Sequence, residues 1–179
     1  MDPAPDPGTE HAAVPWLDAD EQQAWRAYLE ATTRVTDRLN DDLKRAFGLT
    51  LEDYEVLVFL SEAPDRRMRM ADLAGALLAS RSRLTYRIDR LETAGLVARR
   101  PCPSDGRAIW AELTELGYQR LVEAAPLHVR GVRAALSDHF TRDEWLRFGS
   151  ILRTVADAEA NAAGKPEAVE TPPESSGSR

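Results

Sequence analysis

Cysteine is nearly absent: Cys102 is the only one in 179 residues. A lone thiol cannot close an internal disulfide, which excludes a stapled extracellular scaffold. Long apolar runs are missing as well, and none approaches the roughly 18 residues that would span a bilayer. Residues 1–10 are acidic and proline-rich, with neither the basic nor the apolar region of a secretory signal, so the cytoplasm is the expected compartment. Histidine is scarce. His11 falls in a proline-rich end and eleven residues separate His128 from His139, so no converging set of three or four metal ligands is expected. There is no glycine-rich phosphate loop, no His-Glu-x-x-His, no Gly-x-Ser-x-Gly and no convincing Ser/His/Asp set. Neither enzymatic activity nor a cofactor is expected.

What is present is an ordinary globular composition, 43% hydrophobic and 30% charged, at a one-domain length. The net charge of -7 argues by itself against a nucleic-acid partner, but the charge is unevenly spread. Residues 64–110 hold ten arginines (Arg66, Arg67, Arg69, Arg81, Arg83, Arg87, Arg90, Arg99, Arg100 and Arg107) against five acids, a local charge of +5. The remaining residues, 13 basic and 25 acidic, carry -12. A basic island focuses a local field whatever the total. With only two lysines in the chain, composition bias explains part of the preference for arginine.

The two ends, 1–15 and 161–179, hold seven of the eleven prolines and read as disordered tails, because their composition cannot offset ordering entropy. The folded part is placed at 16–160, without an internal repeat. Apolar residues at three-four spacing from Trp25 to Phe47 predict a helix over 18–47, closed by Gly48. Thr50 caps a second helix running to Glu62, which Pro64 and Asp65 break. A short helix over 70–78 follows, then one from Ser80 to Ala94, ended by Gly95. The period then changes. Residues 96–100 and 108–113 read as strands of a hairpin, with Pro101-Cys-Pro-Ser-Asp-Gly-Arg107 as a long tip. A helix from Thr114 to Phe140 is expected to kink at Pro126, and Thr141 with Glu144 forms a capping box for a last helix carrying Trp145, Phe148, Ile151, Leu152 and Val155.

The fold class is thus mainly α with a small β-hairpin wing. Three helices and a hairpin over 50–113 have the order of a winged helix-turn-helix. In the helix after Ser80, Leu84, Ile88 and Leu91 share the face suited to a core. Arg83, Tyr86, Arg87 and Arg90 are read on the opposite face, with Arg81 and Ser82 at the tip. A helix docked in the major groove needs this division, with arginine forking onto guanine and the positive helix end near phosphate. A solvated arginine face is the bland alternative, and the hairpin with Arg107 at its tip weighs towards double-stranded DNA.

Several stretches together resemble the MarR family of bacterial transcription regulators: Met70-Ala-Asp-Leu-Ala74, Ser80-Arg-Ser-Arg-Leu-Thr-Tyr-Arg-Ile-Asp-Arg-Leu-Glu92, Ala94-Gly-Leu-Val97, Arg99-Arg100, Pro103-Ser-Asp-Gly-Arg107 and Leu113-Thr-Glu-Leu-Gly117. The wing motif followed at that distance by Leu-Thr-x-x-Gly is the specific part. The resemblance covers about residues 20–158. It implies a homodimer built from the helices of 18–47 and 114–158, each winged module entering half of a palindromic operator. It also implies that Asp105 and Arg107 pair to shape the wing, with Arg107 reaching the minor groove, and that the protein is most often a repressor released by a small-molecule effector. The DNA-contacting set is accordingly Arg69, Ser80, Arg81, Ser82, Arg83, Tyr86, Arg87, Arg90, Asp105 and Arg107.

The apolar seams of 18–47, 114–140 and the last helix have no partner within a winged module, and a two-fold interface would supply one. Trp16, Trp25, Tyr28 and His128 are candidate lining for an effector pocket between the dimer helices and the reader module, core packing being the alternative. Cys102 stands beside the wing between two prolines and reads as passive; Arg99 and Arg100 could lower its pKa. A winged helix that binds protein instead of DNA is the other functional class, against which the outward arginines count.

Overall fold

The computed structural model describes residues 15–102 and 105–163, with no side chains for 105–107. His11, the tail at 1–14, residues 164–179 and the Asp105–Arg107 pairing lie outside the described residues. Contacts within the chain group residues 1–132 into one unit and 133–179 into a second.

In the first unit, helix α1 spans Ala19–Phe47. Asp18 and Glu21 exchange side-chain and backbone bonds in a capping box, and Gly48 closes the other end at φ 69°. Helix α2, Leu51–Glu62, opens on a second capping box between Thr50 and Asp53. It supplies the buried Tyr54, Val56, Leu57 and Leu60 to the centre of the core, and a helix apolar on most sides must sit inside. After a 3-10 turn at Pro64–Arg66, strand β1 covers Arg67–Arg69 and helix α3 Met70–Ala76. Helix α4 covers Arg81–Thr93, with Ser80 accepting a bond from the Arg83 N–H. Gly95, at φ 72°, turns the chain into strand β2, Val97–Cys102, which runs antiparallel to β3, Asp105–Leu113. Helix α5 is Glu115–Ala135, unbroken through Pro126.

Two differences from the sequence reading concern the sheet and a third the helix before α4. It has a third strand, in the order β1-β3-β2, because the free edge of β3 pairs with Arg67–Arg69, placing Arg69 opposite Trp110. Strands β2 and β3 extend into the segment expected as a long tip, with a register shift between Pro101 and Cys102. Ladder bonding there overrides the turn-forming composition. Finally, α3 ends at Ala76, and Leu78 occupies the left-handed region at φ 50° in the turn before α4.

The junction of wing and α5 explains the Leu113–Gly117 motif. The Thr114 hydroxyl donates to the Gly95 carbonyl at 2.7 Å and accepts from the Gly117 N–H at 2.9 Å. A Cβ on Gly117 would stand 2.0 Å from the Leu96 carbonyl oxygen. Glycine is required by that close approach. Further along α5, a Cβ on Gly131 would stand 2.7 Å from Leu39 Cδ2 of α1. The α5 seam is not left unpartnered as expected: Leu121 and Ala124 are buried in the core, Tyr118 packs against it, and the His128 ring lies tilted against that of Tyr54. The α2 face needed covering, and α5 covers it.

In the second unit, α5 stops at Ala135 instead of Phe140. A 3-10 turn at Ser137–His139 follows, so His139 leaves the seam, and Asp138 pairs with Arg133 at 2.7 Å. Helix α6, Arg142–Ala163, runs five residues beyond the expected end at 158. The predicted capping box is present: the Thr141 N–H donates to Glu144 Oε2 at 2.8 Å, and the Glu144 N–H donates to Thr141 Oγ1 at 3.4 Å. Phe140, Trp145 and Phe148 form a ring cluster with centroids 5.8–6.1 Å apart. Among the described residues, no helix is long and apolar enough to cross a membrane.

Candidate nucleic-acid interface

Leu84 and Ile88 are 1% and 0% exposed and Leu91 2%, which commits one face of α4 to the core. At 100° per residue, the opposite face belongs to Ser82, Tyr86, Asp89 and Thr93, with Arg83 beside it. Tyr86 is 64% exposed. Arg81, Ser82 and Arg83 are exposed at the N-terminal turn, and neither Arg81 nor Arg83 forms an ion pair with a described residue. The Ser80 and Ser82 hydroxyls lie 3.2 Å apart. Two arginines, two serines and a tyrosine thus crown the positive end of a thirteen-residue helix, an arrangement suited to phosphate and base edges.

The placement of Arg87 on the outer face needs correcting, and Arg90 has a partner on α2. Arg87 is three residues beyond Leu84, about 60° around the helix from the core direction, and so lies on the flank. Its guanidinium pairs with Glu52 at 2.6 Å, and only 11% of the side chain is exposed. Arg90 pairs at 3.2 Å with the buried Asp53. Asp53 also accepts the Thr50 N–H. Both arginines pair with the first turn of α2, Arg90 with 42% of its side chain still exposed.

Arg69 is exposed at the start of α3, its guanidinium carbon 5.7 Å from the Trp110 ring centroid. With Arg81 it lines a cleft of about 640 Å3 between α3, α4 and the hairpin, where Asp72, Asp89 and Arg99 also face. Asp105 and Arg107 belong to β3, but their side chains are outside the described residues. Arg99 was missed as a component of the site. Its backbone N–H and guanidinium both bind Glu92, at 2.9 and 2.7 Å, and these bonds with the adjacent charge hold the Glu92 carboxyl below its usual range. The seven-residue spacing of an acid and an arginine around Gly95 was the available signal.

The aromatic pocket set separates. Trp25 and Tyr28 stack on each other at 5.7 Å and are about half exposed. Trp16, before α1, is 85% exposed. His128 instead sets its ring at a tilt against Tyr54, centroids 4.5 Å apart, one turn from Gly131 and its neighbour Leu39. Leu39 is fourteen residues, about 21 Å, along α1 from Trp25. Cys102 is buried, 4% exposed.

The fold and this surface define a winged helix-turn-helix whose second helix presents a basic, hydroxyl-rich tip. The sequence profile described as MarR family matches residues 47–108. AbsC, a MarR family transcriptional regulator from Streptomyces coelicolor, is 42% identical, with a TM-score of 0.78 over 82% of this chain and 98% of its own. A second MarR family regulator from that organism, solved in complex with DNA, is 44% identical with a TM-score of 0.78, over 80% of this chain and 89% of its own. The transcriptional regulator PecS from Dickeya dadantii is 29% identical over 129 residues, 71% of this chain and 76% of its own. This chain belongs to the MarR family of transcription regulators.

Proposed function

We propose that this protein is a cytoplasmic, dimeric repressor that binds a palindromic DNA operator and is released by a small-molecule effector. The observation that carries the DNA part is the division of α4: Leu84, Ile88 and Leu91 are buried, while Arg81, Ser82, Arg83 and Tyr86 are exposed at the outer side. The related regulator solved with DNA, 44% identical, supports the same reading over a protein-binding winged helix. Arg81 and Arg83 supply phosphate and base contacts, Tyr86 and Ser82 the adjoining ones, and Arg69 flanks them. The wing follows the backbone into the minor groove, where Arg107 meets the narrow, electronegative floor.

Dimerisation draws on apolar surface left within each unit: Trp25, Tyr28 and Leu29 of α1, and Leu146, Ile151 and Val155 of α6, each 45–55% exposed. A two-fold axis would bury them and present two reader helices to one operator.

The test is a gel shift with the DNA upstream of the protein's own gene and its neighbours, then titration of the bound fragment at several salt concentrations. Binding should weaken with salt as about six or more phosphate contacts require. Arg83→Ala should lose affinity and relax preference at one position of each half-site, about 1–3 kcal/mol per half-site. A flat salt response, with the variant unchanged, would overturn the reading. Sedimentation at micromolar concentration should give a mass near twice 19.9 kDa.

A further inference from the structure

Arg99 makes more polar contacts than the other residues around the cleft, and all run to one stripe of α4. Its backbone N–H donates to Glu92 Oε1 at 2.9 Å and its Nη1 to Glu92 Oε2 at 2.7 Å. Its Nη2 lies 2.6 Å from Asp89 Oδ1 and donates to the Thr85 carbonyl at 3.2 Å. Thr85, Asp89 and Glu92 follow the i, i+4, i+7 spacing of a single helix edge, so one guanidinium spans about 10 Å of the reader helix. Only 23% of the Arg99 side chain is exposed. Arg99 itself is in the stem of the wing, three residues before the end of β2, and the next residue, Arg100, faces Glu112 of β3 at 3.7 Å.

We infer that Arg99 is a positioning residue for DNA binding, a clamp that fixes the wing to the reader helix. The inference rests on the DNA-binding reading above. A winged module must place its helix in one groove and its wing in the next, across a phosphate strand, and the distance between them has to be set before DNA arrives. The cleft between helix and hairpin is that gap. The clamp also neutralises Asp89 and Glu92, which would otherwise repel phosphate from the outer edge of α4. Arginine suits this place because its planar fork satisfies a carboxylate at two points while a second nitrogen reaches another.

The discriminating variant releases the clamp from the helix side. Asp89→Asn/Glu92→Gln removes two negative charges near the DNA face, which by charge alone should tighten binding to any duplex. A clamp requires the opposite: binding about tenfold weaker, with Arg107→Ala costing little further in that background although it is costly in the parent, because coupled residues do not add. Arg99→Gln should behave alike. In the free protein, both variants should speed amide hydrogen exchange across β2 and β3 while the melting temperature moves by only a few degrees. This readout needs no DNA and so separates failure of the clamp from failure of the DNA-binding reading. Unchanged or tighter binding by the carboxylate variant, additive loss with Arg107→Ala, or unaltered exchange in the wing would each overturn the inference.

Discussion

The Arg87 guanidinium lies 2.6 Å from the Glu52 carboxylate, joining the flank of α4 to the first turn of α2. Three residues on, Arg90 repeats the link to Asp53, whose carboxylate also caps α2. These pairs fix the orientation of the reader helix on the core. Arg87→Ala should therefore lower stability by about 1–2 kcal/mol, between an exposed pair and a buried one. It should leave the sequence preference for DNA intact. Thermal melting and duplex titration, run beside Arg83→Ala, check this. A change of base preference at constant melting temperature would return Arg87 to the reading face.

Gly117 bears on the wing from the other side. Adding a methyl there drives a Cβ into the Leu96 carbonyl, whose oxygen and carbon are backbone and cannot yield without moving the strand-to-helix junction. Gly117→Ala should cost about 1–3 kcal/mol or more by overpacking, despite alanine's better helix propensity. Denaturant unfolding measures it, and a gain in stability would show the junction to be loose.

Leu78 sits at φ 50° and is 95% exposed, so it bears left-handed backbone strain without compensating burial. Asparagine tolerates that region better. Leu78→Asn should raise stability by about 0.5–1 kcal/mol, read as a melting temperature a few degrees higher. A fall would mean that Leu78 is covered in the assembled protein.

His128, its ring tilted against that of Tyr54, has a pKa pulled below its ordinary value by burial. The folded state thus binds fewer protons than the unfolded state over the interval between the lowered pKa and about 6.5. Its contribution to stability is complete above that interval and is lost as pH falls through it. His128→Phe keeps a ring on Tyr54 and removes the proton. The parent should lose more melting temperature than this variant between pH 8 and pH 5, and equal losses would show that another group governs the acid limb.

Much of the fold was legible because its signals are local. The caps at Thr50, Gly48, Gly95 and Thr141 depend on residues three or four positions apart or on one glycine. The buried edge of α4 follows from Leu84, Ile88 and Leu91 alone. The tip residues Arg81, Ser82 and Arg83 follow from Ser80 as the cap. Even the flank position of Arg87 is helix arithmetic that a stricter wheel would have given.

What could not be read was the occupant opposite each surface. The α5 seam has one periodicity whether it meets a partner chain or α2, and the structure assigns Leu121, Ala124 and His128 to the core of the same chain. Three residues at Arg67–Arg69 carry no period; they are a strand only because the β3 edge is there to pair with them. Arg99, Asp89 and Glu92 are three charges in a basic segment until the Gly95 turn brings them together. The helices, the capped starts of α2, α4 and α6 and the winged order can be read from the chain alone, since propensity, capping and hydrophobic period act over a few residues. Tertiary structure sets Arg87 against Glu52 and Arg90 against Asp53, because an ion pair depends on a carboxylate contributed by another element.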